Sequence, residues 1–178
     1  AGTLEVSNSK ASIKFTTANS TLLQATLAAS TMFTSGYIGS ASLVMEASNG
    51  NTSAFGYSDG GGNRWQAHMN EGGYIRFDVG NYYTRLSSPL NSSNEGLLRN
   101  YLLIAGSASM NIYISGASVA SSTPTMTAAS TSIFNIGGIP LFPGSWYHND
   151  HISEVVVFNK ALNSTEISIV QKSQKAFY

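Results

Sequence analysis

Short apolar or alternating runs recur along the whole chain with Gly, Asn and Ser between them, and none is long enough to form a buried helix. They span Leu4 to Val6, Ile13 to Phe15, Leu22 to Leu27, Tyr37 to Met45, Ala54 to Tyr57, Trp65 to Met69, Tyr74 to Val79, Leu97 to Ile104, Met110 to Ile114, Ile133 to Ile136 and Ile152 to Phe158. Strands of this length, separated by turn residues, read as an all-β sandwich or barrel. Ser115 to Ser132, rich in Ser, Thr and Ala, reads as a hairpin followed by a long surface loop. The 178 residues suffice for one substantial domain, and nothing changes character along them, so residues 1–178 are read as a single domain.

One hairpin can be resolved nearly residue by residue. "NRWQAHM" and "GYIRFDV" both alternate and are joined by "NEG", with Gly72 where a three-residue loop needs a left-handed residue. That loop pairs Ala67 with Ile75 and Trp65 with Phe77 on a core face. The opposite face then carries His68 opposite Tyr74, Gln66 opposite Arg76 and Arg64 opposite Asp78. Near the C-terminus "NSTE" matches a capping box, with Asn163 as N-cap and Glu166 at the third helical position. It opens a helix whose Ile167, Val170 and Phe177 fall near one face.

Three segments bear on fold and family together. "MNIYISGASVA" resembles the hairpin x-x-x-Tyr-x-Asn-Gly-x-x-Val of the laminin G-like, concanavalin A-like superfamily, with Ser115 in the Asn position. "FNIGG" is similar to its following strand ending in Ile-Gly, and "HISEVVVFNKALNSTEI" to its closing Ile-Asp-Glu-Val-x-x-Tyr-x-x-Ala-Leu-x-x-x-Glu-Ile. Ser153 stands where that family often has Asp. The resemblance implies a two-sheet antiparallel jelly-roll sandwich with a short C-terminal helix, used to bind glycans or protein surfaces and sometimes to hydrolyse polysaccharides.

Charge narrows the partners. Charged residues make up only 10% of the chain and cancel to a net charge of zero, so no field draws the phosphates of nucleic acid. No run approaches the roughly 20 apolar residues of a membrane helix, so membrane insertion is not expected. There is no Cys, hence no disulfide or thiolate metal site.

Candidate chemistry lies in two places. The polar hairpin face, Arg64, Gln66, His68, Tyr74, Arg76 and Asp78, extended by Tyr83 and Arg85 in "NYYTRL", mixes planar polar groups for sugar hydroxyls with aromatic rings for sugar faces. The second place is "GSWYHNDHI", where Trp146 and Tyr147 are ligand-contact candidates or packing aromatics. His148, His151 and Asp150 offer the ligand types of a zinc or calcium site, but zinc usually needs three or four ligands and thiolates are absent, so no cofactor is expected, with calcium on Asp150 as the alternative. In a strand, His148 and Asp150 would share a face while His151 points away. The Glu-x-Asp-x-x-Glu run of the related glucanases is absent, as are a Gly-x-Ser-x-Gly elbow and a phosphate loop, since "SDGGGN" lacks the Gly-Lys-Ser/Thr ending.

The expectation is therefore a non-catalytic recognition domain, extracellular or on a virion surface, whose partner is a glycan or surface receptor. The alternatives are a capsid or tail component contacting sister chains, and a polysaccharide hydrolase with two carboxylates about 5 to 9.5 Å apart.

Overall fold

The computed structural model describes residues 3–7, 10–16, 22–47, 52–58, 63–80, 84–90, 96–124, 133–139 and 147–177. In chain order the strands are β1 (Thr3–Ser7), β2 (Lys10–Lys14), β3 (Leu23–Ala28), β4 (Gly39–Glu46), β5 (Thr52–Ser58), β6 (Arg64–Asn70), β7 (Tyr74–Gly80) and β8 (Arg85–Pro89). They continue with β9 (Leu98–Ala105), β10 (Met110–Ile114), β11 (Ala117–Ser122), β12 (Ile133–Ile136) and β13 (His151–Phe158). A single-turn helix, α1 (Ala29–Met32), follows β3, and α2 (Ser164–Phe177) closes the chain.

The strands form two antiparallel sheets, β1-β2-β13-β4-β9-β10-β11 and β3-β12-β5-β6-β7-β8, packed as the expected jelly-roll sandwich. Alternation explains which side chains go inward. Trp65, Ala67 and Met69 of β6 and Ile75, Phe77 and Val79 of β7 are wholly buried, as are Leu43 and Met45 of β4 and Tyr101 and Leu103 of β9. Trp65 sits at the centre, stacked on Phe33 at 4.7 Å and edge-on to Phe77 at 4.7 Å. Its indole N–H donates to the Tyr37 carbonyl at 3.0 Å, so the ring is held by packing and by a satisfied donor.

The capping box forms as the sequence indicates. The Glu166 N–H donates to Asn163 Oδ1 and the Asn163 N–H to Glu166 Oε2, both at 3.0 Å. Ile167 and Val170 pack with Leu162 onto Leu102 and Ile104. Two readings need correction: β8 is a strand although "RLSSP" carries no clean alternation, and α1 is a second helix. The hairpin read from "MNIYISGASVA" forms, as β10 and β11. β11 forms because Ser115 (φ 48°) and Gly116 (φ 91°) turn the chain back onto β10.

The hairpin register also differs, by two residues. Gln66 pairs with Asp78, Ala67 with Phe77 and His68 with Arg76. Gly72 and Gly73 both take positive φ, 63° and 84°, and the Gly73 N–H donates to Asn70 Oδ1, which moves the turn one residue toward the C-terminus. A two-residue slip preserves parity, so each side chain stays on the face the alternation assigns it.

Candidate functional site

The outer face of the six-stranded sheet is built around one buried carboxylate. Backbone pairing lines up Gln24 (β3), Asn135 (β12), Gly56 (β5), Gln66 (β6), Asp78 (β7) and Arg85 (β8) in a single row across all six strands. Asp78 is fully buried. Arg85 donates to it twice, Nε to Oδ1 and a terminal nitrogen to Oδ2, each at 2.6 Å. Gln66 Nε2 donates to Oδ2 at 3.3 Å, and Arg64 and His68 each approach that oxygen at 3.6 Å. The sequence-derived pairing of Arg64 with Asp78 thus survives the register change, as a diagonal contact. Burial alone would raise the Asp78 pKa, but the hydrogen bonds and charges of Arg85 and His68 outweigh it and hold the carboxyl below its ordinary range.

A second carboxylate closes the network at the hairpin end. Glu71 contacts Arg76 at 3.3 Å and Arg85 at 3.0 Å. The Arg76 guanidinium lies 5.5 Å from the centre of the Tyr74 ring, and Tyr74, 41% exposed, is the aromatic that this face presents to solvent among its described residues. Along the row, Gln24 Nε2 donates to Asn135 Oδ1 at 3.1 Å, which continues the amide chemistry to the far strand. Gly56, at φ 138°, leaves the middle of the row without a side chain, and a Cβ there would lie 2.3 Å from the Trp65 carbonyl oxygen.

Arg64, Gln66, His68, Tyr74, Arg76, Asp78 and Arg85 therefore share one surface. Gln66 and His68 lie beneath it, 1% and 2% exposed, and Tyr83 and Trp146 fall outside the described residues. Tyr147 is buried, at a backbone bridge to Gly138, which fits the packing-aromatic alternative. Gln24, Asn135, Gly56 and Glu71 are additions that the hairpin sequence could not reveal, since strand pairing across the chain brings most of them in.

Asp150 lies on the other sheet. It sits in a bend before β13, so strand alternation does not apply, and His151 turns toward Asp150 rather than away. His151 Nδ1 is 3.0 Å from both Asp150 Oδ1 and Glu46 Oε2. The three ligand atoms fall within 4.8 Å of one another, which suits a divalent cation with carboxylate and imidazole ligands. Burial first, and then Glu46, pushes the Asp150 pKa up to about 6 against the pull of His151. His148 is fully buried beside this group, neither ring nitrogen reaching a hydrogen-bond partner in good geometry among the described residues, and burial depresses its pKa to about 3.

The family described as the concanavalin A-like lectin/glucanases superfamily matches residues 7–168. No curated protein matches the sequence. Among solved structures, the binding domain of Paraclostridial Mosquitocidal Protein 1 superposes with a TM-score of 0.70 at 13% identity, over 97% of this chain and 48% of that one. This chain thus spans about half of that domain's length. Domain 4 of AbnA, a GH43 extracellular arabinanase from Geobacillus stearothermophilus in complex with arabinotriose, gives 0.66 at 12% identity over 96% and 82%. Ruminococcus gnavus IT-sialidase CBM40 bound to α2,3 sialyllactose gives 0.65 at 12% identity over 90% and 95%.

Proposed function

The chain belongs to the concanavalin A-like lectin/glucanases superfamily, and from that premise we propose that it is a non-catalytic glycan-recognition domain acting outside the cell through the outer face of its six-stranded sheet. The observation that carries the reading is the network of guanidiniums fixed on Asp78 and Glu71 beside the exposed Tyr74–Arg76 pair. The partly exposed guanidiniums of Arg64, Arg76 and Arg85 and the exposed amide of Gln24 can meet sugar hydroxyls, and an exposed ring beside a guanidinium offers a plate for the apolar face of a sugar. Because ion pairs lock these side chains before any ligand arrives, little rotamer entropy is lost on binding.

The same geometry argues against hydrolysis on this face. Glycoside hydrolysis needs one carboxyl that holds a proton near neutral pH, whereas Asp78 is kept ionised by Arg85 and both Asp78 and Glu71 are engaged with arginines. Similarity to a module bound to α2,3 sialyllactose and a domain in complex with arabinotriose supports a glycan as partner. We further assign Asp150, with Glu46 and His151, as the ligands of a divalent cation that would pin the entry of β13 against β4.

A glycan array probed with the intact chain and with the double variant Tyr74→Ala, Arg76→Ala tests the reading. Binding by the intact chain that is lost in the folded variant supports it. Absence of binding to every glycan would overturn it in favour of a protein-binding or virion-assembly role.

A further inference from the structure

A cavity of about 620 Å³ lies between α2 and the start of β9 on the seven-stranded sheet, so it belongs to the other sheet from the Asp78 network. Its construction follows from the helix. Ile167 and Val170 face the apolar cluster on β9, and one turn later Gln174 replaces the expected apolar residue. Gln174, 4% exposed, accepts hydrogen bonds from Ser42 Oγ at 2.7 Å and from Asn100 Nδ2, which clamps the helix to the sheet. The neighbouring stripe, Ser168, Gln171, Lys172 and Lys175, has the i, i+3, i+4, i+7 spacing of one helical face and lines the groove. Arg99 and Asn100 and the β10–β11 turn form the opposite wall, fixed by the Ser115 N–H donating to the Asn100 carbonyl at 2.8 Å.

Two observations point to a guest. First, Arg99, Lys172 and Lys175 are three of the nine Lys and Arg residues in a chain with few charges, and no Asp or Glu lines the cavity among the described residues. Lys172 and Lys175 make no ion pair with a described residue. Second, two residues that line the cavity, Gln171 and Asn100, each carry a buried polar atom, Nε2 and Oδ1, without a hydrogen-bond partner among the described residues. The volume falls within the range of about 300–1,000 Å³ usual for small-molecule sites. Among the described residues no aromatic side chain lines it, so they offer a neutral sugar no plate to stack on.

We propose that this groove binds a small hydroxylated anion of monosaccharide size, its carboxylate or sulfate held by Arg99, Lys172 and Lys175 and its hydroxyls by Asn100, Gln171 and the serines. The site is independent of the glycan reading of the other sheet. Favourable interaction of Lys172 and Lys175 with the C-terminal end of the helix dipole is the competing explanation for their position. It predicts no ligand and leaves the open amide atoms unexplained.

The test is an amide-resolved NMR titration of the ¹⁵N-labelled chain with glucuronate, inorganic sulfate and glucose. The groove should respond to glucuronate with saturable shifts at residues 98–100, 115–116 and 168–175, and glucose should leave them unchanged. Equal affinity for sulfate would assign recognition to the charge, and tighter glucuronate would assign a share to the hydroxyls. Lys172→Ala with Lys175→Ala should weaken binding about tenfold, since charge-assisted contacts are lost. Lys172→Arg with Lys175→Arg should restore it, and Arg76→Ala on the other sheet should leave it intact. Absence of saturable shifts with either anion, or undiminished binding in the alanine double variant, would overturn the proposal.

Discussion

Replacing Asp78 by Asn changes almost no volume and removes the one charge around which the outer sheet face is organised. In the native chain the fully buried carboxylate accepts two 2.6 Å bonds from Arg85 and one of 3.3 Å from Gln66, with Arg64 and His68 at 3.6 Å. An amide can accept from one side only, and its NH2 must then face a guanidinium or the Gln66 amide, donor against donor. Breaking one partner of a buried pair costs roughly 3–5 kcal/mol. The Arg85 side chain is 21% exposed and can recover some hydration, so the lower end, about 3 kcal/mol, is expected.

With a urea m-value of about 2 kcal/mol/M, the midpoint should fall by about 1.5 M without a change in slope. Adding Arg85→Gln should return at least about 1 kcal/mol of that loss, because it removes the stranded cation. The pH dependence has a definite sign. The folded carboxyl titrates below its ordinary value, so the ion-pair contribution is complete above the unfolded pKa of about 3.9 and is lost as pH falls through the folded pKa. The gap between wild type and variant should therefore close in acid. A midpoint change worth less than about 0.5 kcal/mol at pH 7 would refute the reasoning that Asp78 holds this face together.

Gly56→Ala should cost about 2–3 kcal/mol in urea unfolding, from the positive φ of 138° and a Cβ 2.3 Å from the Trp65 carbonyl oxygen. For His148, depressed to about 3 by burial, the unfolded chain binds the extra proton between about pH 3 and 6.5. Stability should therefore fall by about 1.4 kcal/mol per pH unit on acidification through that window, and His148→Phe should remove the slope. Asp150, pushed up to about 6, acts in the opposite sense between about pH 4 and 6, so the His148 slope is best read from urea midpoints in an Asp150→Asn background. Millimolar calcium or manganese should raise the melting temperature of the intact chain and leave Asp150→Asn unmoved, measured by differential scanning fluorimetry.

Strand parity was the part of the fold most open to reading. Trp65, Ala67, Ile75 and Phe77 are inside and Arg64, Gln66, Arg76 and Asp78 are on the other face, because alternation survives a two-residue slip of the hairpin. The register itself was not legible, since Gly72 and Gly73 can each supply a left-handed turn residue and only the Asn70 side chain decides between them. β8 escaped notice because Ser and Pro give no periodic signal, and its strand state comes from its pairing with β7. Long-range pairs carried no local mark. Glu46 meets His151 across 105 residues, and the row from Gln24 through Asn135 to Arg85 exists only once six strands are laid side by side. The capping box was readable to the residue because its partners are three positions apart.

The proposed glycan surface is the outer face of the six-stranded sheet. The most direct measurement is amide and side-chain NMR shift mapping of the intact chain with the glycan that binds most strongly on the array. A glycan on that face should give saturable shifts concentrated on Tyr74, Arg76, Arg85 and the Gln24–Asn135 end of the row, abolished by Tyr74→Ala with Arg76→Ala. Shifts confined to the seven-stranded sheet, or no saturable glycan at all, would contradict it.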